Sequence, residues 1–124
     1  MGCINETKQL LTNFPDIDEI YLYHIPDSKI DDTNSTILLL REIQIETDEE
    51  GNDDFFAINT ELQLQIFFKR NFASGFDMQQ FQTKLLKLLV KNKYTVSSLG
   101  GAMYDPDTKQ YTLTWYIEKE SYLN

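Results

Sequence analysis

Apolar and polar positions alternate most clearly at residues 61–69, where Leu62, Leu64 and Ile66 interleave with Glu61, Gln63 and Gln65 before Phe67 and Phe68 close the run. A period of two puts the apolar side chains on one strand face, and this run is expected to be a central strand with that face in a core. From Asp77 the period becomes helical. Met78, Phe81, Leu85, Leu88 and Leu89 make one stripe, while Lys84, Lys87 and Lys91 occupy other faces. Asp77 at the N-cap, Gln80 three residues on, and Phe76 set to pack on Phe81 mark the helix start as a variant capping box with a hydrophobic staple.

The flanking segments follow the same logic. Ile4, Leu10, Leu11 and Phe14 suit a short helix that Pro15 ends, because proline lacks an N–H and restricts the residue before it. In Glu19–Ile25, Tyr21, Tyr23 and Ile25 alternate with Ile20, Leu22 and His24, predicting a strand closed by Pro26-Asp27. Thr36–Glu46 predicts another strand, covered on both faces at Ile37–Leu40 and alternating from Glu42 to Ile45. Lys93–Tyr104 and Gln110–Lys119 predict a hairpin around Asp105-Pro106-Asp107-Thr108-Lys109. A turn centred between Asp107 and Thr108 opposes Tyr104 to Tyr111, Ala102 to Leu113 and Gly100 to Trp115, with Gly100-Gly101 marking a bulge or a close backbone approach. The expected architecture is one α+β domain over residues 1–124, with about five strands in a mostly antiparallel or mixed sheet and two helices in the order α-β-β-β-α-β-β. Flexible loops are expected at 27–35 and 46–54, and a flexible tail at about 119–124.

Composition narrows the function classes. With 41% hydrophobic residues, eight Phe, seven Tyr and one Trp, the 124-residue chain has enough apolar material for a core of its own. The formal charge of −9, from 20 acidic and 11 basic residues, repels phosphate and argues against specific nucleic-acid binding. Cys3, the single cysteine, excludes an internal disulfide and suits a reducing compartment. Glu6 breaks the Met1-Gly2 myristoylation pattern, and no run resembles a signal peptide or membrane span, so a cytoplasmic, membrane-independent protein is expected.

Candidate chemistry is sparse. His24 is the only histidine and has no motif partner, Gly100-Gly101 lacks the lysine and spacing of a phosphate-binding loop, and the Cys/His count is too low for structural zinc. Placing Gly51 at the sixth position of a calcium loop puts Glu46 first and Ala57 twelfth, which fails at both ends. Asp105 and Asp107 are explained by turn formation. No catalytic, cofactor or metal residue is therefore expected, and the protein reads as a non-enzyme. The dense acidic run at 46–54, with Asp48, Glu49, Glu50, Asp53 and Asp54, is the candidate interaction loop.

Three segments carry a resemblance: Glu19-Ile20-Tyr21-Leu22-Tyr23-His24-Ile25-Pro26-Asp27, Glu61–Phe68, and Asp105-Pro106-Asp107-Thr108-Lys109-Gln110. Together they resemble a family of small siphophage and prophage head–tail joining and tail-completion proteins of Gram-positive bacteria, especially lactobacilli, similar to lambda-type tail terminators. The resemblance implies a homo-oligomeric ring, with a hexamer as the type, that caps the tail tube and meets the head connector. It implies location in the host cytoplasm during assembly and in the virion tail afterwards, with no catalytic residue to carry over. The residues alone also accommodate an acidic cytoplasmic inhibitor or immunity-type protein that covers a basic protein partner.

Overall fold

Residues 61–67 do lie at the centre of the sheet. The computed structural model describes residues 2–49 and 56–123. Along the chain run α1 (Cys3–Leu11), β1 (Glu19–Leu22), β2 (Ile37–Glu49), β3 (Phe56–Phe67), α2 (Met78–Lys91), β4 (Thr95–Leu99), β5 (Met103–Asp105) and β6 (Gln110–Leu123). The six strands form one mixed sheet in the order β1-β2-β3-β6-β4, with β5 pairing β6 beside β4. Only β1 and β2 pair in parallel; the other pairs are antiparallel. This is the expected α+β class, with the second expected strand of the last hairpin, β6, paired to two short strands in place of one.

Strand register explains the core. Leu38, Ile66 and Leu113 share one row across β2, β3 and β6, and Leu40, Leu64 and Trp115 share the next on the same face. Both helices cover this face, α1 through Ile4 and Leu11 and α2 through Phe81, Leu85 and Leu89, all buried. The start of α2 is built as its sequence predicts. Asp77 Oδ1 accepts the N–H groups of Gln79 at 3.0 Å and Gln80 at 3.2 Å, and the rings of Phe76 and Phe81 lie 5.9 Å apart.

Three boundaries differ from expectation. β1 stops at Leu22, short of Ile25, because Tyr23 takes a left-handed φ of 70° that turns the chain off the sheet; its N–H makes a last bond to Leu40 O at 2.7 Å. The loop expected at 46–54 is a correction: Glu46–Glu49 continue β2 and pair with Asn59–Phe56, so the acidic run starts inside a strand. The tail expected at about 119–124 is likewise corrected, because Lys119–Leu123 pair with Thr60–Phe56 as the end of β6. Short polar segments at these ends carry little apolar periodicity, and ladder hydrogen bonds decide their conformation. Residues 27–35 hold a single 3₁₀ turn at Asp27–Lys29, tied back by Lys29 Nζ to Glu19 Oε1 at 3.2 Å.

Candidate assembly surface

The sheet face opposite the helices is open at one end. There β2, β3 and β6 run on together past the helix-covered core as a three-stranded blade. Gln44, Glu61, Glu118 and Thr95 form one cross-strand row on the open face, and Glu46, Asn59 and Glu120 form the next. Glu46, Glu118, Glu120, Asn59 and Thr95, together with Lys93, line a cleft of about 530 Å³. Glu61 stands directly opposite Glu118, an arrangement of like charges that costs stability across an antiparallel pair. Four carboxylates in these two rows, against Lys93 in the cleft and Arg41 in the row before, leave this part of the face negative.

At its other end the open face is covered. Ile37 and Leu39 point away from the helices yet are buried, and Ile25, Ile30, Ile37 and Phe67 share a cavity of about 240 Å³. The chain leaving β1 thus closes over one half of the face, while the acidic half stays accessible. Asp32 helps hold this covering segment: its carboxylate accepts the Asn34 N–H at 2.9 Å, and that bond holds its pKa below the usual aspartate value.

Of the expected interaction residues, two fall at the end of the same blade. Asp48 and Glu49 are the last residues of β2, opposite Ala57 and Phe56, whereas Glu50, Asp53 and Asp54 lie outside the described residues. Sequence reasoning named Asp48 and Glu49 but not Glu61, Glu118 and Glu120. Their signal was available as the polar half of each alternating strand, but only the adjacency of β3 and β6 brings them together.

The remaining candidates resolve into structural roles. Asp105 Oδ1 accepts the Asp107 N–H at 2.9 Å and Asp105 O accepts the Lys109 N–H at 2.7 Å, so this pair builds a turn. His24 is exposed in the turn after β1. Cys3, the first residue of α1, is half-buried against the core, and burial pushes its thiol pKa up, away from nucleophilic thiolate chemistry. Among the described residues, no group of three or more His, Cys, Asp or Glu side chains is placed to hold a metal, and no helix is long and apolar enough to cross a membrane.

A second surface is aromatic. From buried Phe68 the rings of Phe72, Tyr111 and Tyr104 follow one another at centroid separations of 6.1, 5.9 and 5.2 Å, ending on the exposed side of β5 and β6. Met103, on the same short strand as Tyr104, is 72% exposed.

Helices on one face of a mixed sheet, and an acidic blade on the other, define an open-faced α+β domain. The chain belongs to the family described as "Protein of unknown function (DUF806)", whose model matches residues 3–121. No curated protein matches it.

Proposed function

We propose that the protein is a phage or prophage structural subunit, a tail-completion or tail-terminator component that acts by assembly between the tail tube and the head connector. The observation that carries this reading is the acidic open face of the blade, with Glu46, Glu61, Glu118 and Glu120 in two adjacent rows. Lining the lumen of a homo-oligomeric ring, a hexamer in the expected case, such a face lets DNA pass without adhesion. A subunit of this kind works by binding and needs no turnover, and its place is the host cytoplasm during assembly and then the virion tail. The three segments that resemble siphophage tail-completion proteins support the same reading.

Electron microscopy of tails assembled without this protein provides the test. Tails of abnormal length, or tails lacking heads, are expected; normal virions would overturn the proposal.

The same carboxylate rows favour one second reading, an inhibitor or immunity-type protein seated on a basic partner. Salt separates the two, because a steered complex of opposite charges weakens steeply with ionic strength, while a ring built on sheet and apolar contacts persists.

A further inference from the structure

We propose that β2 and β4 are the two halves of a head-to-tail contact between copies of this chain, in which β4 of one copy extends the sheet of the next by pairing with residues 41–47 of β2. The inference rests on the ring reading above for closure, and on the following geometry for the contact itself.

β1 covers the outer edge of β2 only from Ile37 to Leu40, because Tyr23 turns the chain away. From Arg41 onward no strand among the described residues pairs with that edge, and Ile43 and Ile45 on it are 47% and 55% exposed. Ile43 is the extra residue of a bulge between Glu42 and Gln44, and the edge on either side of it is a template for another strand. At the opposite margin β4 is the last strand in the order, again with nothing beyond it among the described residues. The sheet therefore ends in two unlike edges.

Those edges match in direction and overlap in level. β2 and β6 run one way and β3 and β4 the other, so a rotation about an axis along the strands brings β4 antiparallel to β2 of the next copy. Following the rows across the sheet, Thr95 lies level with Glu118, Glu61 and Gln44, and Leu99 lies level with Trp115, Leu64 and Leu40. The rows of Thr95, Val96 and Ser98 thus fall at the step left where β1 ends, and Leu99 falls on the last row that β1 covers. In that register Thr95 opposes Gln44, and β4 itself, Thr95–Leu99, carries no charge. Pairing two β2 edges about Gln44 would instead set Glu42 against Glu46, a like-charge contact. The unlike edges make the contact heterologous, which is the type that closes into a ring.

Cross-linking tests the contact on the full chain with Cys3→Ser, Gln44→Cys and Thr95→Cys combined. Within one copy these positions are separated by β3 and β6, roughly 14 Å at ordinary strand spacing, beyond the reach of a disulfide. Oxidation is expected to give a covalent series running past the dimer on denaturing gels, with each single-cysteine variant giving no covalent species larger than one chain. A dimer from Gln44→Cys alone would overturn the proposal in favour of β2–β2 pairing. Hydrogen exchange on the protein without added cysteines reads the contact in any register: amides of residues 42–47 and 95–99 should both exchange about tenfold more slowly on assembly. Assembled protein lacking protection at either edge, or protein that stays monomeric both at its highest soluble concentration and with purified tail tubes, would also overturn it. Paired edges in a protein whose loss leaves virions normal would sink the tail reading alone; abnormal tails with unprotected edges would sink this contact alone.

Discussion

The buried side-chain hydroxyls of Thr7 and Tyr94 lie 2.7 Å apart and join α1 to the chain entering β4. Thr7 Oγ1 donates its single proton to Cys3 O at 2.8 Å, so Tyr94 is the donor in the pair. The two substitutions at this contact are therefore unequal. Tyr94→Phe removes a donor and leaves Thr7 bonded, at about 0.5–1.5 kcal/mol, whereas Thr7→Val strands a buried phenol hydroxyl, at about 1–3 kcal/mol. Urea unfolding of both variants measures the difference. A larger loss for Tyr94→Phe would reverse the donor assignment.

The same tyrosine makes stability depend on alkaline pH. Burial raises the Tyr94 phenol above its ordinary value. A group whose folded pKa exceeds its unfolded one stabilises fully below the unfolded value and loses that contribution as pH rises through the folded value. Unfolding free energy should therefore start to fall above about pH 10, the unfolded tyrosine value. Tyr21 and Tyr23 are raised as well, Tyr21 chiefly by desolvation and Tyr23 chiefly by its bond to Glu42, so wild type alone does not isolate Tyr94. The difference between wild type and Tyr94→Phe does, and the variant should show the shallower decline. Parallel declines would remove Tyr94 from the linkage.

Leu85 sits in the middle of the α2 stripe, fully buried between Phe81 and Leu89. Leu85→Ala leaves a cavity under the sheet and should cost about 2–5 kcal/mol. Lys87→Ala, on an exposed side of the same helix, should stay within about 0.5 kcal/mol. Thermal unfolding of the pair checks both values, and a Leu85→Ala loss below about 1 kcal/mol would contradict the packing of α2 on β3 and β6.

Segments with strong local chemistry were legible in sequence. Asp77 and the helical period fixed α2, and the Asp105–Lys109 turn fixed the pairing of Tyr104 with Tyr111. Further from the turn the expected register slips. Leu99, not Gly100, opposes Trp115, because Gly100–Ala102 leave the ladder, and β4 slips once more between Ser98 and Val96. Nothing local distinguishes Lys119–Leu123 from a polar tail; its strand conformation depends on β3 being alongside. The acidic face was hidden for a related reason. Glu61 and Glu118 are 57 positions apart, and only strand order makes them neighbours.

Gly100 was expected to mark a close approach, and the geometry gives that expectation a measurable form. Its carbonyl accepts the Trp115 indole N–H at 3.0 Å, and a Cβ placed on it would stand 2.7 Å from the carbonyl oxygen of Thr114. That oxygen belongs to backbone in register with Gln65 of β3, so it cannot retreat without disturbing the centre of the sheet. Gly100→Ala should therefore cost about 1–3 kcal/mol, in the range of an overpacked interior. It should also shift Trp115 fluorescence as the indole loses its partner. Gly101→Ala is the control: a Cβ there meets nothing within 4 Å, and the substitution should be neutral or stabilising by about 0.4–1 kcal/mol through a less flexible unfolded chain. Equal effects at the two neighbours would show that the Thr114 carbonyl is free to move, and that the tight passage beside Trp115 does not constrain residue 100.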